Sequence, residues 1–232
     1  MEHYTSIIMP AYNESGRIGK TLEGIKDIEE INEIIVVDDG SADSTAEEAK
    51  AVKSDKVKVF KLDRNRGKGY ALNFGIKEAL KNADIIGFLD ADLGECSSEV
   101  IKLIRPVFDG EADVTIAQFP RAKKKGGMGL VKGLAKNSVY EMTGVELNAS
   151  ISGQRIFKRE VIERFDTMPY GYGVEVGMSI DILRWGYKIK EVLVQMTHNE
   201  TGRDLKGFIH RGKQYYHIKK VVRQKKKEWG AK

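Results

Sequence analysis

Asp90 and Asp92 close an apolar run with only the small Ala91 between them. Spaced i, i+2 at the end of a strand, two carboxylates face the same way and can grip one divalent cation. Mg²⁺ or Mn²⁺ takes one or two carboxylates and completes its shell with water and substrate phosphates. The pair therefore points to metal-dependent chemistry on a phosphate-bearing substrate, although Asp-x-Asp alone is also a common acidic turn. Two upstream segments repeat the layout of an apolar strand running into a polar loop: Ile7-Ile8-Met9-Pro10-Ala11-Tyr12-Asn13-Glu14 and Ile34-Ile35-Val36-Val37-Asp38-Asp39-Gly40-Ser41. Asn, Asp and Gly favour turns whatever the function, but three such loops on one sheet edge are harder to set down to turn chemistry. In that setting Glu14 and Asp39 can accept hydrogen bonds from a nucleobase and ribose hydroxyls, and Lys68 brings charge for phosphate.

Apolar runs alternating with helical-period stretches predict a mainly parallel sheet covered by helices on both faces, an α/β domain. Strands are expected at Thr5–Met9, Glu33–Val37, Lys56–Leu62, Ile85–Leu89 and Asp113–Ala117, a turn and short strand within Ser152–Phe157, and a last strand at Ile189–Met196. Ser44 and Glu47 have capping-box spacing for the helix after Gly40. Gly67-Lys68-Gly69 leads into a helix carrying Leu72, Ile76, Ala79 and Leu80, and its N-terminus is a candidate anion site. Helices are also expected at Leu130–Thr143, at Arg159–Phe165 and after Gly171-Tyr172-Gly173. From Leu205 onward, Phe208, Ile209, Tyr216, Val221 and Val222 recur among Lys and Arg, the mark of a basic amphipathic helix that docks on the domain or lies on a membrane.

The composition fits this picture. A chain of 232 residues, 41% hydrophobic and 31% charged, is long enough to bury a core and too apolar for disorder. Its longest apolar runs are far shorter than the ~20 residues of a membrane span, and its start lacks the layout of a signal peptide, so a cytoplasmic protein is expected. A lone Cys96 cannot form an internal disulfide and fits a reducing compartment. The net charge of +5 is concentrated at Lys123-Lys124-Lys125 and in the segment 206–232, patches that attract phosphates or anionic surfaces.

Together, Pro10-Ala11-Tyr12-Asn13-Glu14, Val36-Val37-Asp38-Asp39-Gly40-Ser41, Asn65-Arg66-Gly67-Lys68-Gly69 and Leu89-Asp90-Ala91-Asp92 resemble a family 2 glycosyltransferase with the nucleotide-sugar-binding GT-A type fold. The likeness is closest in character to dolichyl-phosphate mannose or glucose synthases and glucosyl-3-phosphoglycerate synthases. It implies nucleotide contacts from Pro10, Ala11, Tyr12, Glu14, Asp39, Lys68, Asp90 and Ala91, and a Mg²⁺ or Mn²⁺ held by Asp92, His198 and Asp90. Ser152-Gly153-Gln154-Arg155 resembles an acceptor-side motif of polyprenyl-phosphate glucosyltransferases, and Gly171-Tyr172-Gly173-Val174-Glu175 with Thr197-His198 is similar to the phosphoglycerate enzymes. With Asp92, Glu175 is the expected catalytic residue, orienting an acceptor or sugar hydroxyl or acting as base. The acceptor is expected at Lys124, Gly126, Gly127, Arg155 and Tyr172, a set suited to phosphate. Processive relatives carry Gln-x-x-Arg-Trp; here Asp181 precedes Arg184-Trp185, so a single transfer is expected, with UDP-glucose the first donor by resemblance. Retention or inversion stays open.

The expected organisation is a domain at 1–200, its nucleotide-binding half at 1–120 and its acceptor half at 121–200, with a helical extension at 201–232. Expected partners are the donor, the acceptor and, through the basic helix, the periphery of a membrane; a homodimer is allowed for. A non-catalytic scaffold of the same fold is the first alternative, though both aspartates are present. A sugar-phosphate nucleotidyltransferase would need a Gly-rich N-terminal loop that Pro10–Glu14 replaces. A nucleic-acid-binding module would explain the charge but leaves the acidic pair unexplained, and nucleic acid is not an expected partner.

Overall fold

The computed structural model describes residues 3–120, 129–166, 173–196 and 205–230, with side chains from 212 in the last stretch. The N-terminal half alternates strands and helices: β1 (Thr5–Ala11), α1 (Ile18–Glu23), β2 (Glu33–Asp38), α2 (Thr45–Ala51), β3 (Val57–Lys61), α3 (Lys68–Ala79) and β4 (Ile85–Phe88). A 3₁₀ segment (Gly94–Val100) leads into α4 (Ile101–Phe108) and β5 (Val114–Gln118). Then follow α5 (Gly129–Thr143), β6 (Arg155–Lys158), a short α6 (Arg159–Ile162), α7 (Val174–Arg184), β7 (Ile189–Leu193) and α8 (Leu205–Glu228).

Seven described strands form one sheet in the order β3-β2-β1-β4-β6-β5-β7, with β6 alone antiparallel to its neighbours. Fold class and dominant strand direction agree with the sequence reading. Central parallel strands are covered on both faces, which is why they read as unbroken apolar runs. Ile7 and Met9 join the cluster with Ile18 and Leu22 of α1 and Leu103 and Ile104 of α4. Ile8, one residue out of phase, joins Ala71 and Ile76 of α3 on the opposite face. There α3 comes so close that a Cβ on Gly75 would stand 2.3 Å from Ile8 Cγ2.

The chain leaves β1 toward β2 and β3 on one side and returns to β4 on the other. Loops diverge at such a switch point, leaving a crevice beyond the carboxyl ends of the strands where open α/β sheets bind ligands. The antiparallel β6 pairs Arg155 with Phe88. That register brings the turn before β6, residues 152–154, beside the loop after β4.

Three local expectations are revised. β4 ends at Phe88 and β7 at Leu193, earlier than the apolar runs suggest, because the pairing stops there. The helix expected over 159–165 stops at Ile162. Ser44 and Glu47 do not close a capping box: Thr45 N donates to Asp43 Oδ1 at 3.1 Å, Ser44 Oγ donates to Glu48, and Glu47 faces Lys61 at 3.8 Å. Glu48 is drawn instead to the neighbouring loop, where Gly16 N donates to it at 2.7 Å.

α8 packs on α5 and α7. Ile218 and Val222 are buried, and Gly173 and Gly177, one helical turn apart, let the backbones approach: a Cβ on Gly173 would meet the Ile218 backbone at 3.0 Å. Asp181 fastens the far end, taking Lys225 Nζ at 2.7 Å and Trp229 Nε1 at 2.9 Å. Burial works against the Lys225 ammonium, but the hydrogen bonds and charges of Asp181 and Glu228 outweigh it and hold its pKa above the usual lysine value. Removing one partner of a buried pair leaves the other uncompensated, so Asp181→Ala is expected to cost about 3 kcal/mol. Urea unfolding would show it, and an unchanged midpoint would contradict this docking.

Candidate active site

The loops after β1 and β2 are laced together. Asp39 N donates to Ala11 O at 2.8 Å, Asn13 N to Ser41 Oγ at 2.9 Å, and Glu14 N to Thr45 Oγ1 at 2.8 Å. Asn13 sits at φ +55°, a left-handed conformation that asparagine tolerates better than most residues, and its side-chain oxygen accepts from Ala42 N. This holds Glu14 near the acidic loop after β4. Burial, reinforced by the charges of Asp92, Asp90 and Asp43, pushes the Glu14 carboxyl above its usual 4.5, although Arg17 lies 2.9 Å away and opposes the shift. Pro10 and Ala11 are the last residues of β1, and Tyr12 follows them, 45% exposed on the same edge.

Asp39 is only 3% exposed, and its carboxylate accepts Arg66 N at 2.8 Å and Gly67 N at 2.6 Å. The anion expected at the start of α3 is thus supplied from within the chain. Gly67, at φ +91°, turns the backbone into the helix so that Lys68 begins it. Its oxygens thus hold the turn from which Lys68 reaches the crevice.

Lys68 Nζ meets Asp90 Oδ1 at 2.5 Å. Burial disfavours its charge, yet Asp90, then Glu175 and Asp92, outweigh it, and its pKa stands above the usual 10.5. Gln154 Nε2 donates to the second oxygen of Asp90. Because β4 has already ended, Asp90 and Asp92 do not share a strand face: Asp90 turns to Lys68 and Gln154, whereas Asp92 makes no hydrogen bond or ion pair among the described residues. From the loop beyond β4 the charges of both carboxylates still act on Glu14 and Lys68. Ala91, between them, is buried, and its carbonyl accepts from Thr21 Oγ1.

Glu175 lies in the first turn of α7, entered through Gly173 at φ +92°, and its charge acts on both Lys68 and Arg155. Arg155 requires a correction. The sequence places it against an acceptor phosphate, but it is 1% exposed. Its guanidinium donates to Ser152 O and Ser150 O at 2.8 Å, to Glu175 O at 3.0 Å and to Ser179 Oγ at 3.1 Å. Burial pulls its pKa down to about 10, against the pull of Glu175 and Glu191, which leaves it charged at neutral pH.

Of the remaining expected site residues, Lys124, Gly126, Gly127, Tyr172 and His198 lie outside the described residues. Gly153 and Gln154 belong to the Ser152-Gly153-Gln154-Arg155 motif, in which the sequence assigns a role to Arg155 alone. The antiparallel register of β6 on β4 gives them one, and no local periodicity in the sequence announces that register.

A divalent cation fits this edge. Glu14, Asp90 and Asp92 create a negative field that a cation would relieve. Among the described residues no three acidic, histidine or cysteine side chains form a closed cage. Asp92 supplies one carboxylate not bonded to any other described residue, and Mg²⁺ and Mn²⁺ commonly take their other ligands from phosphate and water.

Residues 6–165 match the model of the Glycosyl transferase family 2. An uncharacterized protein of Methanocaldococcus jannaschii is 36% identical over 84% of this chain and 82% of its own. An undecaprenyl-phosphate mannosyltransferase of Micrococcus luteus is 26% identical over 84% of each chain. Among solved structures, glucosyl-3-phosphoglycerate synthase from Mycobacterium tuberculosis in complex with Mn²⁺, UDP-glucose and phosphoglyceric acid superposes with a TM-score of 0.75 at 26% identity, covering 95% of this chain and 78% of that one.

Proposed function

From the premise that this chain belongs to glycosyl transferase family 2 and is a glycosyltransferase of GT-A type fold, we propose that it moves one hexose from a nucleotide sugar, UDP-glucose first, to a phosphate-bearing acceptor. The observation that carries the reading is the meeting of Lys68, Asp90 and Gln154, with Glu175 and Asp92 within electrostatic reach, at the switch point of the sheet. In this reading residues 1–120 bind the donor, 121–200 the acceptor, and 201–232 form the helical extension.

The difficult part of such a transfer is the charge that gathers on the departing diphosphate. A Mg²⁺ or Mn²⁺ at Asp92, with His198 as the expected nitrogen ligand, would supply charge neutralisation there. Lys68 adds a fixed ammonium on the same side, kept protonated by Asp90. Pro10, Ala11, Tyr12, Glu14 and Ala91 line the edge on which the nucleotide would lie. Glu175 orients the acceptor or, for an acceptor hydroxyl, takes its proton; an ionised phosphate needs no base. Rigid placement of donor and acceptor accounts for much of the remaining acceleration.

The acceptor reading draws on two relatives: one is named for transfer to undecaprenyl phosphate, the other is solved with phosphoglyceric acid. Single transfer is supported at Asp181, which stands where processive relatives have glutamine and faces Lys225 and Trp229 of the C-terminal segment. Lys213, Tyr216, Lys220, Arg223 and Lys227 are exposed on that segment, in keeping with contact at the periphery of a membrane on its cytoplasmic side. Among the described residues no helix is long and apolar enough to cross one.

The test uses labelled UDP-glucose and GDP-mannose with 3-phosphoglycerate or undecaprenyl phosphate, in Mn²⁺ and again in EDTA. Label is expected in one phosphate-bearing acceptor, with loss of at least about 10²-fold on chelation. Transfer indifferent to EDTA would remove the metal from the reading. No transfer and no nucleotide binding would leave the non-catalytic scaffold.

A further inference from the structure

The Asp92 carboxylate makes no hydrogen bond or ion pair among the described residues, so where it stands is decided by its backbone. That backbone is bonded on both sides of Asp92 to one hydroxyl. Thr21 Oγ1, in α1, donates to Ala91 O at 2.8 Å and accepts from Gly94 N at 2.8 Å. A threonine hydroxyl has one proton and two lone pairs; Arg17 O, at 3.3 Å, is the poorer competitor for the proton. Thr21 is 0% exposed, so bulk water does not take over either bond.

The hydroxyl is itself anchored. α1 starts on the Glu14 carbonyl, which accepts Arg17 N at 3.1 Å and Ile18 N at 3.0 Å, and the helix packs against the 3₁₀ segment that follows the acidic loop. There Ser97 Oγ donates to Thr21 O at 2.8 Å, and a Cβ on Gly24 would stand 2.3 Å from that serine oxygen. One short helix thus carries Glu14 at its start and the Asp92 turn at Thr21. Asp90, by contrast, is fixed through its own side chain by Lys68 and Gln154. The two aspartates are positioned separately, Asp90 by α3 and the turn before β6, Asp92 by α1.

We infer that Thr21 is a positioning residue for the donor site: its hydroxyl sets where the Asp92 carboxylate stands, and through it the affinity for the divalent cation that accompanies the nucleotide diphosphate. This rests on the metal reading above and concerns what holds the carboxylate in place.

The experiment compares wild type with Thr21→Val, which keeps the branched shape and loses the hydroxyl, and with Thr21→Ser, which keeps the hydroxyl and loses a methyl. Thr115→Val is the control: Thr115 is also 0% exposed and gives its hydroxyl to Leu103 O at 2.7 Å, joining β5 to α4. UDP and GDP are titrated calorimetrically in Mn²⁺ and in EDTA, and the ratio of the two affinities is the readout. Thr21→Val is expected to lower that ratio about 10- to 100-fold, the usual cost of losing a group that orients a metal ligand, with its affinity in EDTA unchanged. Thr21→Ser should stay near wild type, and Thr115→Val should lose thermal stability and keep the ratio. In the metal-free protein the Gly94 amide should exchange faster in Thr21→Val than in wild type or Thr21→Ser. Should Thr21→Val not fold, Thr21→Ala takes its place, since it too lacks the hydroxyl and suits a helix. A wild-type ratio in the variant without the hydroxyl, or an unchanged Gly94 exchange rate, would overturn the inference. So would a ratio lowered as much in Thr115→Val, which would trace the effect to lost stability, or in Thr21→Ser, which would trace it to packing. Wild type that binds nucleotide equally well in Mn²⁺ and EDTA, or not at all, would overturn the metal reading itself, and the inference with it.

Discussion

Asp92→Ala is expected to yield a folded protein that has lost Mn²⁺-dependent binding of UDP or GDP and transfers sugar about 10³-fold more slowly. The fold should survive because Asp92 makes no hydrogen bond or ion pair among the described residues, and alanine suits a turn flanked by buried Ala91 and Leu93. Removing a negative charge from a cluster that already pushes Glu14 upward would, if anything, relieve repulsion. The loss of activity follows from the proposed function, in which the Asp92 carboxylate would hold the cation that meets the donor's phosphates. A factor of about 10³ corresponds to about 4 kcal/mol of transition-state stabilisation, within the several kcal/mol a metal supplies to a phosphate leaving group. Calorimetry with and without EDTA reads the binding half, and thermal unfolding reads the fold. Undiminished Mn²⁺-dependent affinity in the variant would take Asp92 out of the site.

The strands and the loops beyond β1, β2 and β4 were legible because buried parallel strands write their apolar runs continuously and polar residues interrupt them where the crevice begins. That signal is local. The contacts that define the site are not: Asp39 to the Arg66–Gly67 amides spans 27 residues, and Gln154 to Asp90 spans 64. Residue types showed that Asp39 and Asp90 suit chemistry, but not that Asp39 is occupied by a turn or that Asp90 is held on both oxygens. The strand on which the i, i+2 argument rests was placed to Leu89, and β4 stops one residue earlier, at Phe88. The docking of α8 was half legible. Its apolar positions show through the lysines, yet the partner of Lys225 is Asp181, 44 residues away, a position the sequence marks only as a departure from a motif.

Arg155 separates the two kinds of reading most sharply, since an arginine beside Ser-Gly-Gln in a presumed acceptor loop reads as a phosphate ligand and arginine is almost never fully buried unless paired. The structure buries it with four neutral acceptors in hydrogen-bond contact: Ser150 O, Ser152 O, Glu175 O and Ser179 Oγ. Three are backbone carbonyls at the ends of two elements that carry the site, so the guanidinium ties the 150–154 turn to the first turn of α7. Arg155→Met keeps the volume and removes the cost of burying a charge, but leaves those acceptors without a donor. At ~1–3 kcal/mol for each buried group left unsatisfied, with partial relaxation and the recovered desolvation set against the sum, the net loss is expected near 3–4 kcal/mol. Arg155→Lys should fall between, because an ammonium retains the charge and three donors but cannot span all four acceptors in one plane. Chemical denaturation measures the series. Glu175 and Gln154 would shift with the loosened turn, so kcat should fall in parallel with stability while the KM for a phosphate-bearing acceptor changes little. An Arg155→Met protein of wild-type stability with a greatly raised acceptor KM would restore the phosphate-ligand reading and overturn the buried one.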